Sequence, residues 1–165
     1  MGQTRGLILL LAAAACDQPD RTAPLVLSDA QVVNTLSAFV EAELLEASPA
    51  QAGAYTPGVG ILASGFINDE TALLWHLQQL GTPPTWTPDG ELARDDGRAE
   101  QIAMSMLTGH ALDDHFLVRT AAAHTARVKF VRDQVQTRCA SSSSCDAARA
   151  YVLQELQHLQ RLSHP

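Results

Sequence analysis

The 165-residue sequence predicts an all-α protein built as a four-helix bundle. Four long segments carry apolar residues at the i, i+3, i+4, i+7 spacing of a helix face, and no stretch alternates apolar and polar residues as a half-buried strand would. Start and stop residues bound those segments, and neither an internal repeat nor a glycine-rich phosphate loop is present. One connection, between the second and third long helices, is long. The order of helices is therefore either up-down-up-down or one with a crossover, and both stay open at this level.

Residues 1–15 precede the fold. MGQTRG carries one positive charge at Arg5, Leu7 to Ala15 form a short apolar run, and small residues stand before Cys16. This is the layout of a signal peptide, and the run is far shorter than the roughly 20 residues that span a membrane. The string LLAAAAC resembles a lipobox, which implies cleavage before Cys16, a lipid on its thiol and an anchored chain facing the periplasm. Asp17 after the cysteine resembles an inner-membrane retention signal, so inner and outer membrane both remain open. Residues 16–27, rich in Asp, Pro and Thr, read as a flexible tether, and residues 28–165 as one bundle domain.

Ser28 and Gln31 make a capping box ahead of Val33, Leu36, Val40, Leu44 and Ala47, so helix one is expected from Asp29 to Ala47 or a little beyond. Pro49 is expected to end or kink it. Thr56 and Pro57 start the second helix, with Val59, Leu62, Phe66, Leu73, Leu77 and Leu80 on its apolar face and Gly81, Pro83 and Pro84 as its stop. The turn-rich GTPPTWTPDGELARDDG reads as the long connection, followed by a short extra helix from Arg98 to Leu107 that Gly109 closes. Asp113 or Asp114 is expected to cap the third long helix, whose stripe is Leu117, Ala121, Val128, Val131 and Val135. Asp146 caps the fourth, with Val152, Leu156 and Leu159 inward.

Charge and cysteines restrict the partners. Arg5 is the only charge in residues 1–15, so its removal takes the formal net charge from -7 to -8, which argues against nucleic acid and against an anionic lipid surface. With Cys16 assigned to lipid, Cys139 and Cys145 are expected to form a disulfide across ASSSS in an oxidising compartment. A metal clip there lacks a histidine, and Ser141 to Ser144 read as a solvated loop with no acid and base to make a nucleophile.

Three charged or polar residues stand where the stripes require apolar ones: Glu43 between Val40 and Ala47, Glu70 between Phe66 and Leu73, and His124 between Ala121 and Val128. Burying such groups costs several kcal/mol unless they meet partners. Glu43 lies thirteen residues before Thr56 and Glu70 thirteen after Pro57, so both sit roughly 20 Å from the turn at 1.5 Å per residue, at one level of the bundle. His124 and His158 are similarly placed either side of the serine run, although the helical wheel puts His158 at the flank of its stripe beside Tyr151, Glu155 and Leu162. Two carboxylates and two imidazoles make a first shell suited to a single Fe, Mn, Zn or Cu ion. The alternative is a hydrogen-bonded polar layer that only sets helix register. Glu155 and His158 form one Glu-x-x-His unit, and the lack of a second argues against a dinuclear site. His76, His110, His115 and His164 fall off the stripes, and Met104 and Met106 cannot share a helix face.

These residues resemble an exported, ferritin-like bundle family known as domain of unknown function 4142, described as predicted outer membrane proteins. The resemblance runs from Ser28 to Leu162: LSDAQVV and AELLEA with Glu43, VGILASGFINDE with Asp69, LTGHALDDHFLVRTAAAH with Gly109, Asp113, Phe116 and His124, and QHLQRL with His158 and Leu159. It implies a ferritin-like four-helix bundle and brings His158 into the site. Glu70 stands where the family usually has histidine, and Pro49 where it has an uninterrupted helix. The family supplies no established activity. Two functions follow as expectations: a metal-binding bundle, or a non-catalytic envelope protein that offers its surface to another envelope protein. An oxidant-handling enzyme would further need an open coordination position.

Overall fold

The computed structural model describes residues 25–81 and 86–164, and all of its regular structure is helical. The helices are α1 (Asp29–Gly53), α2 (Pro57–Leu80), α3 (Pro88–Ser105), α4 (His110–Phe130) and α5 (Ser142–Leu162). A π-helical turn, Val131–Val135, extends α4. No described helix is long and apolar enough to cross a membrane.

The first helix is the centre of the bundle. Every residue from Val32 to Val40 is buried, because α1 packs against each of the other four helices. Its start is the expected capping box, in which Ser28 Oγ accepts from Gln31 N at 3.3 Å and Gln31 Oε1 accepts from Ser28 N at 2.9 Å. Pro49 does not end it. The helix continues to Gly53, since a proline so close to the C-terminus removes a single hydrogen bond while Ala47 and Ala50 pack against α2 and hold the last turn in place. Just ahead of the bundle, Leu27 N donates to Arg138 O at 2.6 Å and Arg138 Nε donates to Leu25 O at 2.7 Å.

Two apolar clusters fill the ends of the bundle. One joins Val32, Val33, Leu36, Phe39 and Val40 of α1 to Leu73 and Leu77 of α2, Val128 of α4, Val131 and Val135 of the π turn, and Ala147, Ala148, Tyr151 and Val152 of α5, with Ala93 of α3 against it. The other joins Ala47 and Ala50 to Val59, Ala63 and Phe66, Met104 of α3, and Leu112 and Phe116 of α4. The membership gives the chain direction. α1, α3 and α5 run one way and α2 and α4 the other, so α3 is the crossover that lets α2 and α4 run parallel.

That crossover is the main departure from the sequence expectation. Instead of a short helix from Arg98, α3 has 18 residues and starts at Pro88, with Thr87 Oγ1 accepting from Gly90 N at 3.2 Å. Its glycines are not turn residues. A Cβ on Gly97 would lie 2.8 Å from Ala42 Cα, and one on Gly90 would lie 2.9 Å from Ala38 Cβ, so α3 lies almost backbone to backbone on α1. Gly97→Ala is therefore expected to lose about 2 kcal/mol in chemical denaturation, overriding the better helix propensity of alanine. Gly58→Ala, where a Cβ meets nothing within 4 Å, should show no such loss.

Three smaller differences have simple causes. The serine run is the first turn of α5, not a solvated loop: Ser141 is its N-cap and makes a capping box with buried Ser144, which displaces Asp146 from that role. Asp113 caps a neighbour instead of its own helix, accepting from Tyr55 N at 2.9 Å and Thr56 N at 2.8 Å, which leaves the start of α4 to Gly109 at φ 62°. The inward face of α5 is Tyr151, Val152, Glu155 and His158, and Leu156 is 37% exposed. The Cys139–Cys145 disulfide is present with a Cα–Cα separation of 5.4 Å. Cys16 lies outside the described residues.

Candidate metal centre

Between the two apolar clusters, α1, α2, α4 and α5 each turn a polar side chain inward. Glu43, Glu70, His124 and His158 are all at most 4% exposed. His124 Nδ1 is 3.9 Å from Glu43 Oε1, and His158 Nδ1 is 3.4 Å from Glu70 Oε1. The two imidazoles meet edge to face with centroids 5.2 Å apart. Phe66 stacks on His158 at 4.2 Å and meets His124 edge-on at 5.6 Å, so it bounds the group with an apolar wall.

Glu155 sits at the heart of this layer, fully buried, and the apolar stripes did not single it out. Its Oε2 is hydrogen-bonded to His124 Nδ1, and its Oε1 is 3.7 Å from His158 Nδ1. Further partners close round the acids. Tyr151 donates to Glu43 Oε1 at 2.6 Å, and Gln154 Nε2 donates to Glu70 Oε1 at 2.7 Å. Arg127 donates to Glu46 Oε2 at 3.1 Å and lies 3.2 Å from Glu43 Oε1. Spacing alone carried a signal for several of these: Arg127 is three residues after His124 and Glu46 three after Glu43, and Tyr151, Glu155 and His158 follow i, i+4, i+7.

His158 is oriented from outside. Its Nε2 lies 3.3 Å from Asp69 Oδ2, and Asp69 is itself paired with Arg161. A proton on Nε2 donated to that carboxylate leaves the Nδ1 lone pair facing Glu70 and Glu155, the arrangement by which an outer carboxylate fixes a ligating histidine.

The charges do not balance. Glu43, Glu46, Glu70 and Glu155 are buried, and Arg127 is the one buried lysine or arginine among the described residues. Burial, reinforced by the Glu155 charge, pushes Glu43 up to about 7. Burial pushes Glu155 up to about 8 against the pull of Arg127, and it raises Glu70 well above the carboxylate range with help from Glu43. The imidazoles move the other way. Burial lowers His124, and burial with the neighbouring His124 and Arg161 charges takes His158 down to about 3. Burial opposes the charge on Arg127, but Glu43 and Glu46 raise its pKa above the ordinary arginine value. Left to itself, the layer therefore keeps protons on acids and neutral nitrogen on the histidines.

The unmet hydrogen bonds concentrate at the same place. Among the described residues seven buried side-chain polar atoms lack a partner, and four of them are Glu43 Oε2, Glu70 Oε2, Glu155 Oε1 and His158 Nδ1. An orphaned buried acceptor costs on the order of 1–3 kcal/mol, so four in one layer is an expensive arrangement unless something else binds them. All four are lone-pair donors of the kind a divalent metal takes. Potential ligand atoms within 4.8 Å of one another form two groups, His124 with Glu155 and His158, and Glu43 with Glu70 and Glu155.

The remaining polar candidates lie elsewhere. His76, His110 and His164 are exposed, and His115 is half-buried against Glu100. Met104 is buried in the second apolar cluster, whereas Met106 is 81% exposed. A groove of about 520 Å³ between α3 and α4, lined by Phe39, Ala93, Ala126 and Phe130, reaches Glu46 and Arg127 at the margin of the layer. Compared with known proteins, the chain matches no family model, no curated protein and no solved structure.

Proposed function

We propose that this chain is a lipid-anchored envelope protein whose helical bundle binds divalent transition metal, Fe, Mn, Zn or Cu, in its core. The observation that carries the reading is the set of four buried, unpartnered ligand atoms on Glu43, Glu70, Glu155 and His158, with His124 across Glu155. Mixed carboxylate and imidazole donors suit these ions, and neutral imidazole is the form a metal requires. The rival role, a polar layer that sets helix register for an envelope-protein partner, draws support from the Arg127, Glu46 and Tyr151 bonds, which need no metal. It meets the acids only through hydrogen bonds of Glu43 with Glu70 and Glu155, and it leaves His158 Nδ1 without a partner.

Protein purified without chelator is expected to carry stoichiometric metal, and Glu43→Ala or His124→Ala to carry less of it. A hundredfold excess of the right ion over its Kd should stabilise the metal-free protein by about 2.7 kcal/mol, read as a higher Tm. A wild-type protein with no bound metal, whose Tm ignores Fe, Mn, Zn and Cu, would sink the proposal. The parallel course of α2 and α4 supports the ferritin-like arrangement that the resemblance to domain of unknown function 4142 implies. The signal-like residues 1–15 and Cys16 support export and anchoring. Cys16→Ser is expected to move the protein from the membrane fraction to the soluble fraction while leaving its metal content unchanged.

A further inference from the structure

We propose that metal ions enter the buried layer from the groove between α3 and α4, past the Glu46–Arg127 pair, a proposal that rests on the metal-binding reading above. The layer itself is sealed, with Glu43, Glu70, His124, Glu155 and His158 at most 4% exposed, so an ion needs a route that opens.

The groove follows from how α3 is held. Gly90 and Gly97 bring its backbone onto Ala38 and Ala42 of α1, and the facing side of α4 carries Ala122, Ala123 and Ala126, too short to fill the space between the two helices. About 520 Å³ remains open. A six-water shell needs roughly 180 Å³ at about 30 Å³ per water, so a hydrated divalent ion fits. Charge favours a cation there. Arg119 is engaged by Glu100, and Arg127 by Glu46 and Glu43, which leaves the negative charge of exposed Asp89 and Asp96 on the groove. Acids along an open cleft raise the local concentration of cations.

The inner end of the groove leads to a ligand atom. Glu46 and Arg127 are the buried charged residues of its lining, 6% and 9% exposed. Arg127 joins Glu46 to Glu43 Oε1, 3.2 Å away, and Glu43 Oε2 is one of the unpartnered atoms. Glu46 lies three residues after Glu43 on one face of α1, so an ion held by Glu46 in place of the guanidinium stands beside its destination. The groove gives Arg127 room to swing outward, and the incoming ion supplies the positive charge that its departure takes from the two acids.

The other hollow near the layer ends in the wrong place. Asp69, Gln160 and Arg161 line it between α2 and α5, and Asp69 reaches His158 at Nε2, the nitrogen turned away from Glu70 and Glu155. Phe66, stacked on that imidazole, and Arg161 over the Phe66 ring close the way behind it.

The test mixes the full chain, stripped of metal with chelator, with zinc(II) in a stopped-flow instrument. A fluorescent zinc indicator reads uptake, and capture by excess chelator reads release. Ala126→Trp, which fills the groove, is expected to slow both rates roughly tenfold and to leave their ratio, the affinity, unchanged. Thr125→Trp, exposed on the same turn and outside the groove lining, should change neither rate. Asp89→Asn combined with Asp96→Asn should slow uptake roughly threefold at low ionic strength, with the difference gone at about 1 M salt. Wild-type rates in Ala126→Trp, slower uptake without slower release, or equal slowing by Gln160→Trp would overturn the route, while zinc bound at equilibrium keeps the metal-binding reading standing. If Ala126→Trp fails to fold, the double aspartate variant, altered only at exposed positions, decides: uptake at the wild-type rate overturns the route. A wild type that binds no metal removes both proposals.

Discussion

Replacing Arg127 by methionine is expected to cost the metal-free protein about 3–5 kcal/mol at pH 7, measured as a loss of unfolding free energy in urea. Arg127 is 9% exposed and its guanidinium serves two buried carboxylates, donating to Glu46 and lying 3.2 Å from Glu43. Methionine fills a similar volume, so little of the loss comes from packing. Most comes from leaving two acids in the core with no cation, which must then stay charged at high cost or take up protons. A double-mutant cycle separates these terms: Arg127→Met with Glu46→Gln should be more stable than Arg127→Met alone, because the second change removes the stranded charge. Metal-loaded protein should feel Arg127→Met less, since the ion supplies positive charge beside Glu43. If Arg127→Met costs less than 1 kcal/mol, the electrostatic account of the layer is wrong.

How much of this was legible in the chain depends on what kind of signal a residue emits. The apolar stripes of α1 and α2 place Glu43 and Glu70 inside because a charged residue among leucines is a visible exception. Glu155 emits no such signal. The buried face of α5 carries Tyr151, Glu155 and His158, so a reading based on apolarity shifts the stripe towards Leu156, which faces solvent. Polar residues that are buried together hide one another. The crossover helix shows a second kind of ambiguity. Thr87 and Pro88 repeat the start signal of Thr56 and Pro57, but Gly90 and Gly97 resemble turn residues in sequence and are close-packing residues in space. The ends of helices were hardest where the cap comes from afar, as with Asp113 and the turn between α1 and α2.

Metal-free protein is expected to lose roughly 3 kcal/mol of stability between pH 6.5 and 8, and saturating metal to abolish that loss. The sign follows from which state binds more protons. Glu43 at about 7, Glu155 at about 8 and Glu70, raised well above the carboxylate range by burial, keep protons in the folded chain that the unfolded chain has released above its ordinary carboxylate pKa of 4.5. The stabilisation from these groups is complete below pH 4.5 and is lost as pH rises through their folded values. Lowered histidines act oppositely. His158, down to about 3, and His124 give stability that is present above 6.5 and lost as pH falls, so the two effects partly cancel in acid and only the carboxylate effect operates above 6.5. A bound divalent ion replaces those protons, holds the acids charged throughout, and binds better as pH rises because fewer protons compete. Urea midpoints at pH 6.5, 7.2 and 8.0, with chelator and with metal, should therefore diverge as pH increases. Parallel curves would mean that the carboxylates of this layer do not titrate in that range and that no ion displaces their protons.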